Sequence, residues 1–148
     1  MKKTDKPVLI EEVYDAELES VWSALTAHNE MIQWYFRHIP EFEPEVGFMT
    51  TFEVPVTNSI FTHQWEVTHV IHNKMISYNW NYAEHPGDGR VTFDLESRGN
   101  QTILRFTMEV LEDFSDDILE FRRESCITGW NYFLKERLKD YLQLVSVA

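Results

Sequence analysis

The chain has a single cysteine, only five glycines and five prolines, and no apolar stretch approaching the ~20 residues that span a bilayer. Each scarcity excludes something. Cys126 alone cannot close an internal disulfide, so the fold must hold by packing, and a reducing cytoplasm is the expected location. The start, Met1-Lys2-Lys3-Thr4, runs into polar residues without the apolar core of a secretory leader. Cations are short as well. Thirteen lysines and arginines face 25 acids, for a net charge of −12, which repels phosphate backbones and anionic lipid, so nucleic acid and membrane spans are not expected partners. A Gly-rich phosphate loop, a Gly-x-Ser-x-Gly elbow and a Cys-x-x-Cys pair are all missing.

Aromatic residues, by contrast, are plentiful, with five tryptophans, six tyrosines and ten phenylalanines. Much of this stock falls in segments of period two. Val8 to Tyr14 reads as a first strand, and Glu45–Val54, Phe61–Val70, Met75–Tyr82, Arg90–Glu96 and Gln101–Val110 read as five more. The reversals between them fall at Pro55 to Ser59, His72-Asn73, His85-Pro86-Gly87-Asp88-Gly89 and Gly99-Asn100. Alternation places Phe52, Phe61, His63, Trp65, Val67, His69, Tyr78, Trp80, Phe93 and Phe106 on one dry face.

Two short helices are expected after the first strand. Asp15 can cap one that carries Leu18, Val21, Trp22 and Leu25, and Asn29 can cap one that carries Met31, Trp34 and Tyr35. The last segment, Phe114 to Val145, reads as one long helix with Ser115 as N-cap. Its apolar arc joins Ile127, Trp130, Leu134, Leu138, Tyr141 and Val145, with Cys126 and Phe133 at the margin. Gly129 sits mid-helix, where glycine costs about 1 kcal/mol relative to alanine, so close approach of a backbone or ring is expected there. The pattern predicts an α+β fold in one domain, residues 1–148 with a core of about 8–142: a curved antiparallel sheet of about six strands against a long C-terminal helix.

Candidate chemistry is sparse. Trp34, Trp65, Trp80 and Trp130, with Phe93 and Phe106 beside them, either pack a core or line a pocket for a flat apolar ligand. His63 and His69 point inward by alternation, as a general base, as donors that orient a ligand, or as satisfied core histidines. His69 and His72 fall on opposite faces, so no metal site is expected. Arg123 is a guanidinium on an apolar arc, and either clamps an acidic group of a ligand or pairs with Asp116 or Glu120. No cofactor is expected.

The order of elements resembles the START-like (SRPBCC) helix-grip superfamily, and within it the AHSA branch, named for an activator of a heat-shock chaperone ATPase. The resemblance runs from about Val8 to Leu142. It rests on Val21-Trp22 in the first helix, Trp34-Tyr35 ending the second, Tyr78-Asn79-Trp80, Thr102-Ile103-Leu104, and Gly129-Trp130 followed by Leu134, Leu138 and Leu142. Branch members open the second strand on Gly-Gly and the third on glycine. Here Val46-Gly47 and Trp65 or His63 stand in those places, so a narrowed interior is expected.

The resemblance implies a small apolar or amphipathic ligand held between sheet and helix, with no established catalysis. Two alternatives stay open. One is a polyketide-cyclase-like or hydrolase-like enzyme in which His63, Tyr78 or Tyr82 polarises the substrate. The other is a co-chaperone-like interaction domain, against which stands the expectation that the chain lacks a chaperone activator's additional N-terminal domain. A contiguous exposed apolar patch would point to a partner or a homodimer.

Overall fold

The computed structural model describes residues 1–146, so the last two residues of the expected domain lie outside the described residues. Period-two segments pair as the alternation requires. β1 (Val8–Tyr14), β2 (Met49–Val56), β3 (Ser59–Ile71), β4 (Met75–Tyr82), β5 (His85–Arg98) and β6 (Gln101–Glu112) form one antiparallel sheet in the order β1-β6-β5-β4-β3-β2. One face is packed with Phe52, Phe61, Trp65, Tyr78, Phe93 and Phe106, each at most 5% exposed, and the other carries Glu53, Gln64 and Glu66 to solvent.

The inward phase of β3 ends early. A bulge between Val67 and His69 shifts the pairing with β4, and His69 is exposed rather than on the dry face. One unpaired residue reverses every side chain beyond it. The expected His85–Gly89 loop is also strand. β4 and β5 turn over Ala83-Glu84 with His85 opposite Tyr82, and bulges at Trp80/Tyr82 and Asp88/Gly89 absorb the irregular residues. Gly87 adopts φ +119°, and the Phe114 ring lies where its Cβ would stand.

Between β1 and β2 lie α1 (Leu18–Thr26) and α2 (His28–Trp34). Neither begins on the expected cap. Their N-caps are Glu17 and Ala27, because Asp15 instead accepts a hydrogen bond from Gln101 Nε2 at 2.6 Å, and Asn29 sits inside α2.

The final helix, α3, spans residues 123–146, starting nine residues later than the Phe114 of the sequence reading. Ser115 accepts only the Asp117 amide, at 3.2 Å, in a local turn, and a 3₁₀ turn at Leu119–Phe121 follows. The physical reason lies in Phe114 and Phe121, 4% and 2% exposed, whose rings meet at 5.7 Å over the end of the sheet. Backbone bonds from Phe114 N to Met1 O (2.9 Å) and from the Met1 ammonium to Phe121 O (3.0 Å) hold the segment non-helical.

Inside α3, Tyr132–Arg137 is π-helical. A π-turn takes one residue more than an α-turn, which rotates everything after it backward by roughly one position. Leu138 is buried as straight phasing expects, but Leu142 takes the next buried place, while Tyr141 is half-buried and Val145 exposed although straight α-helical phasing puts both inside. The Tyr14 hydroxyl donates to the Leu134 carbonyl within the π-turn at 2.6 Å.

Candidate ligand cavity

Helix α3 does not fill the hollow of the sheet at the end marked by Phe61 and Phe121. A cavity of about 310 Å³ remains, at the low end of the ~300–1,000 Å³ typical of small-molecule sites. The sheet supplies Val54, Phe61, His63, Trp80, Tyr82 and Met108. The helix supplies the stripe Ser125, Cys126, Gly129, Trp130 and Phe133, and Phe36, Phe114 and Phe121 close the sides. Among the described residues no lysine or arginine lines it, and the one carboxylate on its wall belongs to exposed Glu120. A second, larger cleft of about 890 Å³ runs between α1 and the Phe42–Pro44 segment, but it is an open groove with Glu19, Ser23, His28, Glu43 and His72 on its walls.

Two polar rings stand side by side among these apolar walls. His63 and Tyr82 are cross-strand partners, with centroids 4.8 Å apart and planes at 76°. The His63 Nδ1 lies 3.0 Å from the Phe61 carbonyl, which can only accept, so Nδ1 carries the proton and Nε2 presents a lone pair. Burial lowers the His63 pKa to about 4, with the Phe61 carbonyl opposing that shift, so the ring is neutral at pH 7. Tyr82 Oη accepts the Trp80 indole N–H at 2.8 Å, and no acceptor for its own proton is found among the described residues. Burial holds the Tyr82 hydroxyl well above the usual phenol range, so it is a donor. Cys126 is likewise a neutral thiol, pushed by burial to about 11.

Of the residues singled out from sequence, His63, Trp80 and Trp130 meet at this cavity. The others stand elsewhere. Trp34 is fully buried under Tyr35, 4.6 Å away, with its N–H on the Ala24 carbonyl at 2.7 Å. Trp65 packs between Phe52 and Tyr78, and its Nε1 is buried without a partner. Phe93 and Phe106 back the Trp130 ring at 5.9 and 4.2 Å. Arg123 faces neither cavity nor carboxylate, since its guanidinium donates to the carbonyls of Lys6 and Pro7 just before β1. It ties the segment before β1 to the first turn of α3.

Tyr78 spends its hydroxyl on Tyr35 at 2.8 Å, which leaves Tyr82 as the tyrosine of the recess. Phe36, Phe61, Phe121 and Phe133 also line the site and were not distinguished in the sequence from ordinary core. Gly129 corrects the sequence reading in an informative way. Apart from its own helix turn, nothing among the described residues lies within 4 Å of the place its Cβ would take, so no neighbouring element or ring demands a glycine there. Its missing side chain is part of the empty space.

The architecture and much of the sequence have relatives. The family model for Activator of Hsp90 ATPase homolog 1-like protein matches residues 15–143. No curated protein matches the chain. Among solved structures, protein CV1439 from Chromobacterium violaceum superposes with a TM-score of 0.77 at 20% identity, over 93% of this chain and 96% of that one. MLL2253 from Mesorhizobium loti gives 0.75 at 26% identity, over 94% and 98%. The Aha1 dimer from Colwellia psychrerythraea gives 0.70 at 25% identity, over 95% and 98%.

Proposed function

The chain belongs to the family of Activator of Hsp90 ATPase homolog 1-like proteins, a branch of the START-like helix-grip fold, and from that premise we propose that it binds a small, largely apolar molecule between sheet and α3. The observation that carries the reading is the mid-helix gap at Gly129. A glycine inside a helix costs about 1 kcal/mol relative to alanine, and no contact requires it here. Aromatic walls around that gap give a ligand large contact area without ordering flexible side chains. A binding role also suits the titration of the site, because a histidine with a pKa of about 4 and a thiol at about 11 are a weak base and a weak nucleophile at neutral pH.

The test is a fluorescence titration with the uncharged probe N-phenyl-1-naphthylamine. Saturable binding at one site per chain is expected, abolished in Gly129→Leu, whose added side chain fills the gap while circular dichroism stays unchanged. Equal binding by Gly129→Leu would refute the location. Pairing of two chains, the state of the Colwellia psychrerythraea relative, is a separate proposal that sedimentation equilibrium decides.

A further inference from the structure

Given a ligand in this cavity, the reading just proposed, we infer that the site selects an uncharged aromatic molecule bearing a hydroxyl group, held by His63 Nε2 and the Tyr82 O–H together. The polar groups of the wall are few: on the helix side the Ser125 hydroxyl, the Cys126 thiol and exposed Glu120, and on the sheet side His63 and Tyr82 as neighbours. His63 has turned its only N–H toward its own strand, so it offers the cavity one acceptor and no donor. Tyr82 has filled an acceptor position with the Trp80 indole N–H, so it offers one donor. Both belong to rings in edge-to-face contact at 4.8 Å, on directly paired residues of β3 and β4, so a single polar group of a ligand meets both.

The chemical class follows from that pair. A hydroxyl donates to Nε2 through its hydrogen and accepts the Tyr82 proton on its oxygen, and so satisfies both groups with one atom. A carbonyl, an ether or a carboxylate can only accept, which leaves the Nε2 lone pair facing another lone pair. An aliphatic amine arrives charged, and Phe61, Phe121, Trp80 and Trp130 give that charge no carboxylate on the inner wall. An anion fares no better. No lysine or arginine lines the space, and the Met1 ammonium at its side already donates to the Phe121 carbonyl and lies 3.8 Å from Asp116. A carboxylate would be buried unpaired, which desolvation opposes. The rest of the wall is aromatic, and Phe61, Tyr82, Phe121 and Trp130 favour a planar ring in edge or offset contact.

Three probes of one shape separate the terms: naphthalene, 2-naphthol and 2-naphthoate, titrated at pH 7 against tryptophan fluorescence of Trp80 and Trp130. The expected order is 2-naphthol about tenfold tighter than naphthalene, the ratio that two net hydrogen bonds of modest strength produce, with no saturable binding of 2-naphthoate. In Tyr82→Phe, which keeps the ring but removes its hydroxyl, the ratio of 2-naphthol to naphthalene affinity should shrink to about threefold or less. Naphthalene binding as tightly as 2-naphthol, or 2-naphthoate binding tighter than both, would overturn the hydroxyl assignment and leave the cavity standing. Saturable binding by none of the three would overturn the cavity reading and this inference with it.

Discussion

His63 is the residue at which burial, tautomer and stability meet. In the unfolded chain it titrates near 6.5, and in the fold near 4, because desolvation opposes the charged ring. The sign follows from proton uptake. Above about pH 6.5 neither state is protonated and the contribution to stability is complete. As the pH falls toward 4 the unfolded chain takes a proton that the fold refuses, so stability drops by up to about 1.4 kcal/mol per pH unit, and below about 4 the loss levels off. Urea unfolding of the wild type should therefore weaken between pH 6.5 and 4 more steeply than that of His63→Phe. Parallel slopes would mean that His63 titrates normally. Gly129 gives a second residue-scale expectation. Gly129→Ala should raise stability by about 1 kcal/mol, since the helix gains alanine propensity and the methyl meets nothing, while binding of an apolar probe weakens. Thermal melts read the first effect and titration the second, and a less stable Gly129→Ala would mean that the gap is closed.

At the scale of elements, the π-turn of α3 separates what could be read in the sequence from what could not. Up to Trp130 and Leu134, helical phase inferred from sequence matches the buried face. Beyond Tyr132–Arg137 it still holds at Leu138 but slips by one residue after it, because no composition rule marks an added residue per turn, and Leu142 takes the buried place that phasing gives to Tyr141. β3 repeats the lesson. Alternation is reliable through Val67 and wrong at His69, where the bulge intervenes. Period arguments hold within unbroken elements and lose register at insertions. Capping was misread for a related reason: Ser115 and Asp15 have the right chemistry, but tertiary partners claim the segment around one and the side chain of the other.

The π-turn also carries a prediction. Tyr14 Oη donates to the Leu134 carbonyl in a buried place, so Tyr14→Phe removes that bond and should cost about 0.5–1.5 kcal/mol. Because Trp130 and Phe133 border the same turn, near-UV circular dichroism should change with it. A variant as stable as wild type, with an unchanged aromatic spectrum, would mean that the turn holds itself. Gly87 is the matching test at the start of the β5 strand. Alanine there would strike the buried Phe114 ring from a backbone at φ +119°, so a loss of about 1–3 kcal/mol is expected in the midpoint of chemical unfolding.

Over the whole molecule, charge and core are segregated. The aromatic interior that packs the sheet against α3 was legible as a dry face, but its division into wall and backing was not. Trp80 and Trp65 are both inward tryptophans on neighbouring strands, directly paired, yet one lines the recess and the other is sealed behind Phe52 and Tyr78. That difference depends on where α3 leaves the sheet uncovered, a property of two elements and of neither sequence alone. The exterior is simpler. Twenty-five acids against 13 cations leave mostly like-charge neighbours, and ion pairs such as Arg105 with Glu11 and Glu96 lie on exposed side chains that water and salt screen. Self-repulsion should therefore outweigh local attraction. Raising sodium chloride from 0.01 to 0.15 M shortens the screening length from about 30 to about 8 Å, so Tm should rise across that range. The same salt should leave the affinity of an uncharged probe for the cavity unchanged, because no fixed side-chain cation lines it. A falling Tm would place the balance with the ion pairs, and salt-sensitive binding of naphthalene would mean that the probe sits on the acidic surface and not among the rings.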